Sequence, residues 1–91
     1  MRIAALLLCF AVSASAADRS RAVRAEFMRE TPCPSTGAKR GACPGYQADH
    51  IQPLCAGGRD AKDNLQWLSE HDHRLKTKRD VAACFGRVHR P

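Results

Sequence analysis

The chain lacks what would mark a large, repetitive or membrane-spanning protein. Its longest apolar run, Ile3 to Val12, is shorter than the roughly 20 residues a helix needs to cross a bilayer. No internal repeat or low-complexity tract is present, so the chain is not a repeat array. The cysteines do not form the two CxxC pairs of a common structural zinc site. Aromatic residues are scarce, with Trp67 the only tryptophan. At 91 residues the chain holds one domain at most, and a core that small needs Trp67 as an anchor more than as a platform for a base.

What is present begins with a leader. Residues 1–16 have a basic start at Arg2, the apolar run, and the small residues Ala14-Ser15-Ala16 before a cleavage point, which is the pattern of a secretory signal. Leu8 precedes Cys9 where lipid attachment would want a small residue, so a lipoprotein is not favoured. The expected product is an exported domain, residues 17–91, secreted or periplasmic and with no membrane segment after cleavage. A domain of 75 residues buries a small core and needs a staple. Four cysteines remain: Cys33, Cys43, Cys55 and Cys84. In an exported domain an even number suggests disulfides, with three connectivities possible. The preferred pairing is Cys33–Cys43, closing a Pro/Gly-rich loop, and Cys55–Cys84, tying the central segment to the last helix. Zinc ligation by these cysteines is the alternative. Only Arg2 of the 15 basic residues lies in the leader, so the net charge of +6 falls only to +5 beyond it. That sign favours a polyanionic partner such as nucleic acid, or an anionic envelope surface.

Residues 18–30 (DRSRAVRAEFMRE) read as a helix capped by Asp18 or Ser20 and stopped by Pro32. Ala22, Val23, Phe27 and Met28 form a partial apolar stripe among arginines, suiting either a helix docked on the core or an arm on phosphates. Residues 31–45 hold three prolines, three glycines and two cysteines, which is loop chemistry, with Lys39-Arg40 at its tip. That pair is an exposed charged turn or a backbone-phosphate contact. Residues 46–54 read as a short strand and its exit, Gly57-Gly58 as a turn, and 64–68 as a second strand. Ser69 followed by Asp72 makes a capping-box pattern for a helix to about Cys84, ended by Gly86. On that helix His73, Lys76, Thr77 and Asp80 share a face, while Leu75 and Ala82 form an apolar packing face. His89, Arg87, Arg90 and Pro91 read as an exposed tail. The architecture expected is a small α+β unit: helix, clamp, β-hairpin, helix.

The chemistry concentrates in residues 49–77, DHIQPLCAGGRDAKDNLQWLSEHDHRLKT. Phosphodiester hydrolysis needs a base for water, neutralisation of the phosphoryl charge and stabilisation of the departing alkoxide. A neutral imidazole serves the first near pH 7. Asp49 and His50 point to opposite faces of a strand, which suits one for a metal and the other for water. His73 opens the helix and can reach back as a second ligand. An Asp-plus-His set completed by water fits Mg²⁺, Mn²⁺ or Zn²⁺. The Asn64 amide can brace the loop and orient His50, and Lys76 lies one turn after His73.

The DHIQPL segment, the paired glycines, NLQWL and H-x-x-K-T together resemble the HNH endonucleases over roughly residues 47–80. The upstream PCPSTGAKRGACPG and the export signal resemble a small, cysteine-containing bacterial and phage branch of that family. The resemblance implies a ββα-metal fold, here with an N-terminal helix and a disulfide-stapled loop. It implies hydrolysis of DNA, and of RNA as a second substrate, by a monomer using one divalent metal. His50 becomes the general base, Asn64 the residue that shapes the loop and positions it, and Asp49 and His73 the metal ligands. His71 is the less favoured substitute for His73. Lys76, Lys39 and Arg40 become nucleic-acid contacts. The chain departs from the pattern at Ser69 and Asp72, where many members carry a second CxxC pair. It departs again at Thr77, where some carry a further histidine. Two other functions stay open on the residues alone: a non-catalytic nucleic-acid-binding module of this fold, and a disulfide-stapled protein of the envelope surface.

Overall fold

A serine hydroxyl starts each of the two helices. In α1, Ala16–Glu30, the Ser15 side chain accepts from the Asp18 amide at 3.1 Å. In α2, Glu70–Phe85, Ser69 accepts from the Asp72 amide at 3.1 Å. Each cap satisfies a helix-end donor that has no partner within the helix. The α2 cap follows the expected pattern. The α1 cap does not: the helix begins two residues earlier than expected, and Asp18 lies in its first turn, bonded back by the Ser15 hydroxyl at 2.8 Å. At the other end of α1 the Thr31 amide closes the last turn onto the Phe27 carbonyl, and Pro32 prevents continuation.

The computed structural model describes residues 15–86. The expected leader lies, up to residue 14, outside the described residues, as do Cys9 and the tail residues Arg87, His89, Arg90 and Pro91. No helix among the described residues is long and apolar enough to cross a membrane. Between the helices stand two antiparallel strands, β1 (Tyr46–His50) and β2 (Leu65–Ser69). Their register sets Ala48 opposite Trp67, Asp49 opposite Gln66 and His50 opposite Leu65. The fold is α+β, as expected, with β2 running directly into α2.

Residues 51–64 connect the strands through two short 3-10 turns, Leu54–Ala56 and Lys62–Asn64. Asn64 therefore closes a turn instead of opening β2. The paired glycines each have a reason. Gly57 has φ of 89°, the left-handed conformation that suits glycine. A Cβ on Gly58 would overlap the Gln52 carbonyl oxygen and lie 2.9 Å from that of Pro53, so only glycine lets the loop fold back so closely.

The core lies on the α1 side of the hairpin. Met28, at 1% exposure, is enclosed with Cys33 and Cys43, and Ala38, Tyr46 and Trp67 pack around them. Trp67 is the expected anchor: its ring lies 5.3 Å from that of Phe27, and its Nε1 donates to the Thr31 carbonyl at 2.7 Å. α1 is thus docked on the core through Phe27 and Met28; Arg24 lies over the Trp67 ring at 5.8 Å, and Arg21 and Arg24 face the hairpin while staying solvent-exposed. The disulfides are Cys33–Cys43 and Cys55–Cys84, with Cα separations of 5.5 and 5.7 Å. This is the preferred pairing, and it removes these cysteines from zinc ligation.

The packing face expected for α2 is inverted. Leu75 is exposed, as is Ala82, whereas Lys76 is the buried residue of the helix. The row His73, Lys76, Asp80, Cys84 turns toward the hairpin and its connection. The α2 side of the hairpin offers Asp49 and Gln66 beside Leu68, and the polar row finds its partners at the two polar residues. Because the apolar core is confined to the α1 side, Met28→Ala is expected to cost about 2–4 kcal/mol in urea unfolding of the oxidised protein. A loss below about 0.5 kcal/mol would locate the core elsewhere.

Candidate active site

Strand alternation sends the two adjacent residues Asp49 and His50 to opposite sides of the hairpin. Asp49 meets α2, and its side chain is 10% exposed. Its Oδ2 accepts from Lys76 Nζ at 3.1 Å and from Gln66 Nε2 at 3.3 Å. Its Oδ1 faces His73 Nε2 at 3.8 Å. The carboxylate is therefore fixed through one oxygen, and the other is turned toward the imidazole.

Lys76 fixes more than Asp49. Its amine also reaches Asp80 Oδ2 at 2.5 Å and donates to the main-chain carbonyl of His50 at 2.7 Å. Burial works against the charged amine, but hydrogen bonds to Asp80 and Asp49 outweigh it and hold its pKa above the ordinary lysine value. The expected phosphate contact through Lys76 does not fit this position. The side chain is 11% exposed and its amine already serves three acceptors.

The Asp49–His73 pair can be tested as a cation site from its own atoms. At 3.8 Å the two are too far apart to be hydrogen-bonded to each other. Ligands each about 2.1 Å from a shared hard cation lie at most about 4.2 Å apart, and at about 3.0 Å on adjacent octahedral positions, so the pair is within reach of a common ion and would close by several tenths of an ångström to bind it. Among the described residues no group of three or more His, Cys, Asp or Glu side chains could hold a metal. A cation here would rest on two protein ligands, with the remaining positions left to water and substrate oxygens. His71, by contrast, is exposed.

His50 meets the other side. Its Nε2 lies 2.9 Å from Asp60 Oδ1, and Asp60 Oδ2 accepts from the Ser20 hydroxyl of α1 at 2.9 Å. The hydrogen bonds from His50 and Ser20, with the His50 and Arg19 charges, hold Asp60 below the usual carboxylate range. Ser20, Arg21, Arg24, His50 and Asp60 line one cavity of about 200 Å³ between α1 and the hairpin.

Asn64 braces the connection through main chain. Its amide donates to the carbonyls of Gln52 at 3.0 Å and Arg59 at 2.7 Å, its Oδ1 accepts from the Gln52 amide, and its own carbonyl accepts from the Ile51 amide. It fixes the backbone leaving His50 and makes no bond to the imidazole among the described residues. Lys39 and Arg40 are exposed and, with Arg29, line a basic groove of about 840 Å³ between the stapled loop and α1.

A family model for HNH endonucleases matches residues 32–79, more than half of the chain. The chain belongs to the HNH endonuclease family. Comparisons with curated proteins and with solved structures return no match. The hairpin followed by α2 is the ββα unit expected of an HNH protein. Membership carries a nuclease-type function with nucleic acid as partner, and HNH endonucleases generally use a divalent metal. Sequence reasoning grouped Asp49, His50, Asn64 and His73 as one site; the structure sets Asp49 beside His73 on one face of the hairpin, turns His50 to the other and leaves Asn64 on main chain. Sequence reasoning missed Asp60 and Ser20, because nothing in a loop acid or a helix serine marks either as a partner of His50. Gln66 was within reach, as the cross-strand neighbour of Asp49 once the register is known.

The raised pKa of Lys76 has a measurable sign. Its contribution to stability is fully present below the unfolded lysine value of 10.5 and is lost as pH rises through the higher folded value. Lys76→Met, which leaves Asp49 and Asp80 without their cation, is expected to cost about 1–3 kcal/mol near pH 8 and to flatten this alkaline loss. Denaturant unfolding from pH 8 to 12 checks both. Equal stability of the two proteins at pH 8 would show that the amine holds nothing.

Proposed function

We propose that the chain is an exported, metal-dependent endonuclease that hydrolyses phosphodiester bonds of nucleic acid, with DNA the expected substrate and RNA the alternative. One observation supports this reading. The Asp49 carboxylate and the His73 imidazole, 3.8 Å apart on one face, and the part-exposed His50 imidazole on the other flank the end of a single strand. A binding module has no use for a base beside a cation pair.

In the proposed reaction a phosphodiester crosses the end of the hairpin. Asp49 and His73 would hold the divalent ion, Mg²⁺, Mn²⁺ or Zn²⁺, which when bound would supply Lewis-acid neutralisation of the charge on the phosphoryl and departing oxygens. His50 takes the proton of the attacking water. The new P–O bond forms as the bond to the 3′-oxygen breaks, leaving a 5′-phosphate and a 3′-hydroxyl once the departing oxygen takes a proton from solvent. Arg21 and Arg24, which line the His50 cavity, face the phosphate from α1. Lys39, Arg40 and Arg29 grip the flanking backbone. Such contacts carry little sequence information, so binding weakens steeply with salt.

Export is part of the proposal. The leader pattern of residues 1–16 and the two disulfides both suit an oxidising compartment. Cys55–Cys84 ties the loop after His50 to the end of α2, so folding of the site waits on oxidation.

Plasmid cleavage by the purified oxidised domain, with and without each metal, tests the reading. Metal-dependent nicking is expected, lowered about 100-fold or more in His50→Ala. Equal cutting by wild type and His50→Ala would assign the activity to a contaminant. Binding without cutting under every metal would favour a non-catalytic module.

A further inference from the structure

We propose that Ser20 and Asp60 are positioning residues for His50, so that α1 belongs to the hydrolytic unit and does more than cover the core. The inference rests on His50 acting as the base, and it names what sets the ring for that task.

Both oxygens of Asp60 are committed to side chains of other elements. Oδ1 meets His50 Nε2 and Oδ2 meets the Ser20 hydroxyl, each at 2.9 Å. The loop does not need these bonds to hold its shape, because Asn64 already ties Gln52 and Arg59 together through main chain. An ionised carboxylate only accepts, and the bonds from His50 and Ser20 keep Asp60 ionised wherever a histidine base works. The hydrogen of the neutral ring is therefore on Nε2. Nδ1 carries the lone pair and has no partner among the described residues. Nδ1 is the atom that takes the proton from water, and when it does, the positive charge on the ring faces Asp60.

Ser20 completes the arrangement from thirty residues upstream of His50. Its hydroxyl fixes the Asp60 carboxylate, which alone on an exposed loop would rotate and release the imidazole. The neighbouring arginines of α1, Arg21 and Arg24, line the same cavity. The helix thus presents an orienting hydroxyl and two cations to the side of the hairpin where water is activated. A general base gains from being held in one tautomer and one orientation before substrate arrives.

The test pairs steady-state cleavage with imidazole ¹H–¹⁵N correlation spectra of the oxidised protein at pH 8. In wild type the His50 ring is expected as the Nε2–H tautomer. Asp60→Asn puts an amide that both donates and accepts against Nε2, so the ring should divide between tautomers. Its kcat should fall roughly 10- to 100-fold, with KM within about twofold. Ser20→Ala keeps the carboxylate and should lower kcat about fivefold, the loss of one hydrogen bond. It also covers the case in which Asp60→Asn folds poorly. Nδ1–H as the main wild-type tautomer would overturn the inference, as would wild-type kcat in folded Asp60→Asn and Ser20→Ala. Wild-type protein that shows the Nε2–H tautomer but cuts no nucleic acid would overturn the endonuclease reading and leave the positioning of His50 standing.

Discussion

The candidate site depends on the ammonium of Lys76. It binds the proposed ligand carboxylate (Asp49), a second acid on its own helix (Asp80) and the main-chain carbonyl of the proposed base (His50). One charge therefore sets the distance between α2 and the end of β1, and with it the spacing of His73 from Asp49. The apolar core does not do this, since Met28, Cys33 and Cys43 are enclosed on the far side of the hairpin. A buried charge is tolerated only when its partners replace water fully, and three acceptors meet that requirement here. The same arrangement ties up one oxygen of Asp49 and leaves the other turned to His73, the orientation the proposed cation ligation needs.

The two faces of one short hairpin thus carry different work. Apolar packing against α1 secures the face of Ala48, His50, Leu65 and Trp67. Ion pairs and Cys55–Cys84 secure the face toward α2, where apolar contact is slight and Leu75, Val81 and Phe85 stay exposed. A chain this short cannot bury a second core. Alternation along β1 then separates Asp49 from His50 at no cost beyond the strand itself. The long connection, pinned by Asn64 and closed tightly at Gly58, keeps the strand end from fraying.

Much of this was legible in the residues. The Ser69-Asp72 cap and the paired glycines follow from local chemistry, and the disulfides are the preferred pairing of the three possible. The face of α2 was not legible. A helical wheel separates Lys76 from Leu75 but does not say which is inward, and the usual preference for burying leucine fails where the facing strand presents a carboxylate. Ser15 as the α1 cap was missed because small residues before a helix also fit a cleavage site. Asp60 and Ser20 were invisible for another reason: their link to His50 exists only after α1 docks, and docking draws on Phe27 and Met28 in the core and on Lys62 with Glu26 and Glu30 at the connection.

Anomalous diffraction from crystals of the oxidised domain soaked in Mn²⁺ tests the central claim, that cation and base occupy opposite faces of the hairpin. The account predicts one strong peak between Asp49 Oδ1 and His73 Nε2, with Lys76 still on Asp49 Oδ2 and the His50 ring still on Asp60. A peak bound by His50 and Asp60, with none at Asp49 and His73, would contradict it.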